Sequence, residues 1–140
     1  EDETETTLPS SPHNLKLFGE DIMLETARTY VQNHQLNEAI IQYQKILASH
    51  SHWKTIAYFE LGKLYFEQND WKNAISYLLK LVYSDEEFTS KFELSVILAE
   101  AYYHLGYYQE AVQYFRQAEN TGNLTQEQAQ KYQEARENIK

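Results

Sequence analysis

Apolar and small residues recur along this chain at a spacing typical of α-helices, and one order of residues appears three times. In each copy a small residue precedes a tyrosine by three positions, and an alanine follows that tyrosine nine positions later. The three sets are Ala27, Tyr30 and Ala39; Gly62, Tyr65 and Ala74; and Ala99, Tyr102 and Ala111. Because residues three or four apart share one face of a helix, each copy fits two helices joined by a short turn. The sequence therefore predicts three helical hairpins.

The alignment extends through the second helix of each hairpin. Apolar or small residues lie three positions before, four after and seven after each alanine: Leu36, Tyr43 and Ile46; Trp71, Leu78 and Leu81; Tyr108, Phe115 and Ala118. The small residue of the first helix and the alanine of the second allow the two helices to approach closely, whereas bulky residues would force them apart. Gly62 costs about 1 kcal/mol relative to alanine in mid-helix, so its presence indicates close packing there.

Turn and capping signals separate these predicted helices. The turns fall at residues 33–37, at Asn69 and Asp70, and at Gly106. Asp70 is suited to be the N-cap of the helix from Trp71, and Thr125 with Gln128 three residues later predicts a capping box for the last helix. That last helix is mostly polar with one narrow apolar stripe, which is typical of a helix that caps a repeat stack.

The middle copy carries a resemblance to a known family. Its residues Tyr58, Leu61, Gly62, Tyr65, Ala74 and Leu78 match the tetratricopeptide-repeat pattern W-x2-L-G-x2-Y, A-x3-F with exchanges among aromatic and aliphatic residues. The alanines are 35 and 37 residues apart, close to the family's period of about 34. The chain thus resembles this family across roughly residues 20 to 121. It departs from the pattern by lacking the helix-ending proline and by a longer connection at residues 83–88, which affects the expected angle between the second and third repeats.

Together these features predict an all-α fold. We expect three antiparallel helix-hairpin repeats in a right-handed superhelical stack, followed by a C-terminal capping helix. The predicted repeats span about 20–52, 53–86 and 87–122, and the capping helix about 125–139. With 140 residues, 42% of them hydrophobic, the chain can form one extended core, so residues 14–140 are interpreted as one tetratricopeptide-repeat domain.

Residues 1–13 differ from the rest of the chain in composition. Acidic residues are concentrated at Glu1, Asp2, Glu3 and Glu5, and both prolines of the chain lie at residues 9 and 12. Such a composition predicts a disordered acidic tail. The tail is either a solvated linker to whatever preceded Glu1 or a docking segment, and the absence of an initial methionine suggests a trimmed or processed fragment.

Apolar residues return directly after this tail at Leu15, Leu17 and Phe18. They either pack as a lead-in to the first repeat helix or fill the groove of a neighbouring molecule. The second possibility is the basis for an alternative function, self-assembly through contacts between molecules.

The charge balance and the absence of cysteine exclude several classes of partner and site. The chain has 12 basic and 21 acidic residues, a net charge of −9, and no cluster of lysines or arginines on any predicted helix. A nucleic acid or an anionic membrane surface would be repelled. With no cysteine in the chain, disulfides, zinc-thiolate sites and cysteine nucleophiles are excluded. No apolar run is long enough to span a membrane, and no signal-peptide pattern is present.

Candidate catalytic chemistry is sparse. His50 and His52 form an H-x-H pair, which without a third ligand is more typical of a polar loop than of a metal site. Residues 85–87 are acidic and are more simply interpreted as the first turn of a helix complementing its dipole. Phosphate loops, H-E-x-x-H and nucleophile elbows do not occur. We therefore expect no enzyme activity, no cofactor, and no catalytic or metal-binding residues.

The family resemblance implies a ligand surface on the first helix of each hairpin. That stripe contains the candidate peptide-binding residues Leu24, Arg28, Val31, Ile56, Phe59, Lys63, Phe66, Val96, Glu100 and Tyr103, and it also passes through Asp21 and Glu93. Phe59 and Phe66 either form an open apolar patch or are covered by neighbouring helices or by residues 15–18. Since the stripe has Arg28 and Lys63 as its basic residues, the family's clamp for a terminal carboxylate is not expected.

The resulting hypothesis is a protein–protein interaction module. It would bind a partner peptide or amphipathic helix in an apolar concave groove, as an adaptor, an assembly factor or a chaperone-like subunit. The alternative is a structural scaffold that assembles by stacking repeats between molecules into a homo-oligomer. The resemblance, with the acidic Ser/Thr/Pro tail interpreted as a tether, favours the bacterial cell envelope as the location.

Overall fold

The repeated pattern forms helices throughout the described part of the chain. The computed structural model describes residues 12–50, 52–84 and 90–139, without the side chains of residues 12–18 and 20. Within these ranges the chain forms seven α-helices and no strand. They are α1 (Pro12–Gln32), α2 (Leu36–Leu47), α3 (Lys54–Glu67), α4 (Trp71–Val82), α5 (Lys91–Leu105), α6 (Tyr108–Glu119) and α7 (Gln126–Glu137). The predicted all-α class with helical repeats is confirmed, and the superhelical stacking stays a prediction.

Some predictions fall outside the described residues. The acidic tail up to residue 11 and the acidic run at residues 85–87 are among them, as are the side chains of Leu15, Leu17 and Phe18. Helix α1 begins at Pro12, ahead of the start expected for the first repeat near residue 20.

The chain divides into two units, Glu1–Ala57 and Tyr58–Lys140, with the boundary inside α3. Unit 1 contains the first hairpin, α1 and α2. Its buried residues include Ala27, Ala39, Tyr43 and Ile46 of the repeat pattern, together with Leu24 of the predicted stripe. Ala27, Ala39 and Ile46 are fully buried, so the helices meet along the small side chains that the pattern singled out.

Unit 2 contains the rest of α3 and helices α4 to α7. Its buried cluster takes apolar side chains from all five helices, among them Phe59, Leu78, Leu98, Phe115 and Tyr132. In both of its hairpins a tyrosine of the first helix stacks on a tyrosine of the second. The ring centroids of Tyr65 and Tyr77 are 5.6 Å apart, and those of Tyr102 and Tyr114 are 5.8 Å apart.

The turn inside each hairpin has the same backbone conformation in all three repeats. The residue that ends the first helix is left-handed, with φ of 61° at His34, 63° at Asn69 and 81° at Gly106. The next amide donates to the carbonyl of the repeat tyrosine, and these distances are 2.8, 2.9 and 2.9 Å. Such a left-handed residue satisfies carbonyls that the helix end would leave unpaired. The same turn thus forms in all three repeats with three different residues at the left-handed position.

The close approach inferred from Gly62 is confirmed. A Cβ added there would lie 2.5 Å from Leu78 Cδ2 on α4. Leu78 is fully buried. A side chain larger than that of glycine at position 62 would therefore force Leu78 to move within the core of unit 2.

Both predicted helix caps are present. The Asp70 side chain accepts from the Asn73 amide at 3.3 Å at the start of α4. At the start of α7, Thr125 Oγ1 accepts from the Gln128 amide at 3.1 Å, and Gln128 Oε1 accepts from the Thr125 amide at 2.9 Å. This reciprocal capping box fixes where α7 begins.

Candidate functional site

The predicted stripe in unit 1 is partly covered. Leu24 is 4% exposed and belongs to the core. Arg28, Val31 and Ile56 are half-buried. The Arg28 guanidinium lies 3.7 Å from the Glu25 carboxylate one helical turn earlier. In this unit the stripe therefore offers a charged group beside half-buried aliphatic side chains.

In unit 2 the stripe occupies equivalent positions of α3 and α5. Phe59 and Val96 correspond to each other in the repeat alignment and are 8% and 6% exposed. Of the two alternatives stated for Phe59, the structure shows the covered one. The next equivalent pairs, Lys63 with Glu100 and Phe66 with Tyr103, are half-buried. Their outer atoms form the accessible part of this face.

Lys63 crosses from α3 to α5. Its Nζ lies 3.0 Å from Glu93 Oε2, and both side chains are more than a third exposed. The same ammonium group lies 5.1 Å from the centre of the Phe59 ring. The buried ring thus supports a cation at the surface, a favourable arrangement for a positive charge over an aromatic face.

Helix α7 contributes two further polar contacts to the same face of α5. Lys131 Nζ donates to Glu100 Oε1 at 2.8 Å, and Tyr103 Oη donates to Glu134 at 2.7 Å. The hydrogen bond to Glu134, with burial and that carboxylate's charge, raises the pKa of Tyr103 to about 12. Burial lowers the pKa of Lys131, but contacts with Glu100 and Glu127 outweigh it and leave this pKa raised.

An aromatic cluster borders this face. Trp71 meets the Phe66 ring edge to face at 5.2 Å and stacks on His104 at 4.2 Å. Tyr103 meets the His104 ring at 5.3 Å. Burial, together with the nearby Lys131 charge, lowers the pKa of His104, although Glu100 opposes the shift. Phe66 and Tyr103 therefore belong to one group of rings in contact.

Sequence reasoning did not find the contributions of His104, Lys131 and Glu134. Lys131 and Glu134 are three residues apart on α7, a spacing that puts both on one face of the helix. That spacing was a usable signal, but the mostly polar composition of α7 gave no indication of which face meets α5.

The side chains of this face are suited to recognition through charged and aromatic contacts. Across the described residues, no group of three or more His, Cys, Asp or Glu side chains could hold a metal ion. His50 and His52 lie in the connection that precedes α3, and both are exposed. The face combines two ion pairs, Lys63 with Glu93 and Glu100 with Lys131, with half-buried aromatic rings.

The family of this chain follows from a comparison with models of protein families. The family model described as the SusR N-terminal TPR domain matches residues 14–136. The chain belongs to this tetratricopeptide-repeat family. A search among curated proteins found no match. Within the described residues, no helix of this tetratricopeptide-repeat domain is long and apolar enough to cross a membrane.

Membership in the tetratricopeptide-repeat family indicates a general function for this chain. Tetratricopeptide-repeat domains mediate protein–protein interactions and are typically not enzymes. The helical repeats, the paired small residues and the recurring turn of this chain agree with that family. The resemblance inferred from the sequence is confirmed, and the general role as an interaction module follows from it.

Proposed function

We propose that this tetratricopeptide-repeat domain binds a peptide or amphipathic helix of a partner protein along the first-helix stripe. The residues are those predicted from the sequence: Leu24, Arg28, Val31, Ile56, Phe59, Lys63, Phe66, Val96, Glu100 and Tyr103. The domain would act as an adaptor, an assembly factor or a chaperone-like subunit. Leu24, Phe59 and Val96 act from the core by supporting the stripe, and the remaining residues contact the partner.

One observation carries the proposal. In unit 2 the exposed charges of Lys63 on α3 and Glu93 on α5 lie on the same stripe as the half-buried rings of Phe66 and Tyr103. Half-buried aromatic side chains in fixed positions lose little conformational entropy on binding and are frequent anchors at interfaces. Opposite charges at their edge select the orientation of the bound segment. The ligand that fits is an amphipathic segment with mixed charge.

A charge swap tests the stripe. The chain is immobilised and used to capture proteins from an extract of the source organism, with Lys63→Glu, Glu93→Lys and the double variant as parallel baits. The double variant restores the ion pair of 3.0 Å with its ends exchanged. We expect the partner to be lost from both single variants and not regained by the double variant, because a partner that contacts these groups now meets the wrong charge.

Two results separate a binding role from a structural one. If the double variant recovered the partner, the ion pair would serve only to position the helices. Lys72→Glu on α4 is the matched control, since Lys72 is exposed and lies outside the stripe. Equal loss of the partner from this control would assign capture to general charge attraction, which also contradicts the proposal.

The cell-envelope location belongs to the same proposal. It is supported by the resemblance that the sequence shows and by the composition of the tail, residues 1–13. Fractionation of the source cells, with detection of the chain by antibody, tests it. Recovery of the protein with the cytoplasmic fraction alone would contradict this part of the proposal.

A further inference from the structure

An open groove runs along one face of α1 in unit 1. Its volume is about 540 Å³, and the residues that line it include Asp21, Ile22, Glu25, Thr26, Tyr30 and Asn33. These positions recur every three or four residues and so share one face of the helix. The volume lies in the range of protein pockets that hold ligands or side chains. The groove is therefore large enough to receive the side chains of a docked segment.

The groove has an apolar floor. Ile22 is 49% exposed, and Tyr30, about two helical turns further along α1, is half-buried. Thr26 adds a methyl group between them in the helical register. Exposed apolar surface with a polar rim is typical of an interaction site. A partner that covered Ile22 would remove this apolar area from water.

The rim of the groove is acidic. Asp21 and Glu25 are both exposed, and among the described residues that line the groove none is basic. Asp21 accepts a hydrogen bond from Trp53 Nε1 at 2.6 Å, a neutral donor that leaves its negative charge in place. The Glu25 side chain is 74% exposed, and the Arg28 guanidinium lies 3.7 Å from its carboxylate. The groove therefore attracts positive charge.

Neither the N-terminal segment of this chain nor a second copy of it fits the negative charge of the groove. The residues before α1 carry four carboxylates and no positive charge within residues 1–5. A second copy packed on this face would bring its own Asp21 and Glu25 against the same residues. Like charges placed together in an interface cost several kcal/mol. The charge pattern thus favours a different protein as the occupant.

We propose that this groove binds a basic amphipathic helix of a partner protein. Apolar residues of the partner helix rest on Ile22 and Tyr30, and lysine or arginine residues flanking them face Asp21 and Glu25. This surface lies on α1 in unit 1, where it shares Asp21 with the stripe, and it includes none of the stripe residues of α3 and α5. The attraction between the acidic chain and a basic helix also speeds the encounter.

A pair of synthetic peptides provides the probe. One is an amphipathic helix made of leucine and lysine, and the other has the same apolar face with every lysine replaced by glutamate. Binding of each labelled peptide to the full chain is measured by fluorescence anisotropy. We expect the lysine peptide to bind and the glutamate peptide not to bind. Raising the salt concentration weakens the complex, because exposed charges are screened.

The chain offers matched variants. Ile22→Ser is expected to weaken binding of the lysine peptide by about tenfold, as loss of an apolar anchor does. Glu25→Gln, which keeps the size of the side chain, weakens it by about threefold through loss of one charge. Ile41 is 51% exposed on α2 and does not line the groove. Ile41→Ser and Glu38→Gln are therefore the controls, with affinity expected to stay unchanged.

Several outcomes overturn the proposal. Equal weakening by Ile22→Ser and Ile41→Ser assigns the binding to general attraction between opposite charges. A dimer in sedimentation that Ile22→Ser abolishes makes a second copy the occupant. Tighter peptide binding after removal of residues 1–11 makes the chain's own tail the occupant. Lys63→Glu leaves peptide binding unchanged if the groove and the stripe are separate sites. This variant therefore distinguishes a failure of the groove proposal from a failure of the proposed function of the stripe.

Discussion

The first hairpin, in unit 1, and the two hairpins of unit 2 share one repeat pattern but differ in how fully they are packed. In all of them a small residue, a tyrosine and an alanine bring the two helices together, and the same left-handed turn joins them. In unit 2 each hairpin adds a stacked tyrosine pair. The first hairpin has Gln42 at the position equivalent to Tyr77 and Tyr114, so this stack has no counterpart there.

The surfaces differ in the same way. In unit 2 the helix faces are linked by Lys63 with Glu93, by Glu100 with Lys131 and by Tyr103 with Glu134. In unit 1 an open groove remains beside α1, with Ile22 half exposed. The comparison teaches that the repeat pattern determines the hairpin, while the positions between the pattern residues decide whether the charged groups of a face pair with a neighbouring helix, as in unit 2, or line an open groove, as in unit 1.

The largest expected effect concerns α7, which completes the packing of unit 2. Tyr132 is 6% exposed and stacks on Phe115 with ring centroids 5.4 Å apart. We expect Tyr132→Ala to lower the free energy of unfolding by about 3 kcal/mol, because a large buried ring is lost and a cavity is left. Chemical denaturation followed by circular dichroism measures it.

An exposed residue of the same helix supplies the control for α7. Gln130→Ala removes an exposed side chain, so a change within about 0.5 kcal/mol is expected. A similar small loss for Tyr132→Ala would mean that α7 does not complete the core of unit 2, and the contrast with unit 1 would lose its main support.

The next effect compares two helical glycines. Gly62→Ala in α3 forces a methyl group against Leu78 and should lower stability by about 1 kcal/mol, since overpacking outweighs the better helix propensity of alanine. Gly19→Ala in α1 has no atom within 4 Å of the new Cβ. It should raise stability by up to about 1 kcal/mol. Thermal unfolding of both variants measures the difference, and a shift in the same direction for both would contradict it.

Substitutions at the left-handed turn residues are expected to change stability by smaller amounts and in opposite directions in the two units. Gly106→Ala in unit 2 places a side chain on a left-handed residue and should cost about 1 kcal/mol. His34→Gly in unit 1 relieves the same strain at the equivalent position and should gain about 0.5 kcal/mol. Denaturant midpoints of the two variants test this. Loss of stability in His34→Gly would show that the histidine side chain stabilises the turn.

The smallest effect concerns alkaline pH and unit 2. The pKa of Tyr103 rises from 10.0 to about 12 through its hydrogen bond to Glu134. The folded state therefore binds the Tyr103 proton more tightly than the unfolded state does. The contribution of this contact to the free energy of unfolding is complete below pH 10 and is lost as the pH rises towards 12. We expect Tyr103→Phe or Glu134→Gln to flatten the fall in unfolding free energy over this range. An unchanged slope in both variants would rule out this contact as its source.

Much of the fold could be predicted from the sequence. The hairpins, the turns, the cap at Asp70 and the capping box at Thr125 follow from local residue order, because helix periodicity and capping act over three or four residues. The close approach at Gly62 was also predictable, since glycine in mid-helix is costly unless packing requires it.

The candidate site could be predicted only in outline. The alignment located the stripe, but Phe59 could be exposed or covered on sequence grounds alone, and the structure places it in the core. The pairing of Lys131 and Glu134 with α5 was missed, because residues about 31 positions apart meet only through the packing of α7. Contacts at such separations depend on helix orientation, which no local pattern records.

The sequence by itself determined that this chain folds as tetratricopeptide hairpins, since repeated small residues and tyrosines specify how two adjacent helices pack. Tertiary structure alone decided which side chains remain available to a ligand. Whether Phe59, Ile22 or Tyr103 is exposed depends on the helices that pack beside it, and packing between distant segments adds or removes exposed area without any change in the repeat pattern. The family and the hairpin are thus local properties, whereas the binding surfaces are products of long-range packing.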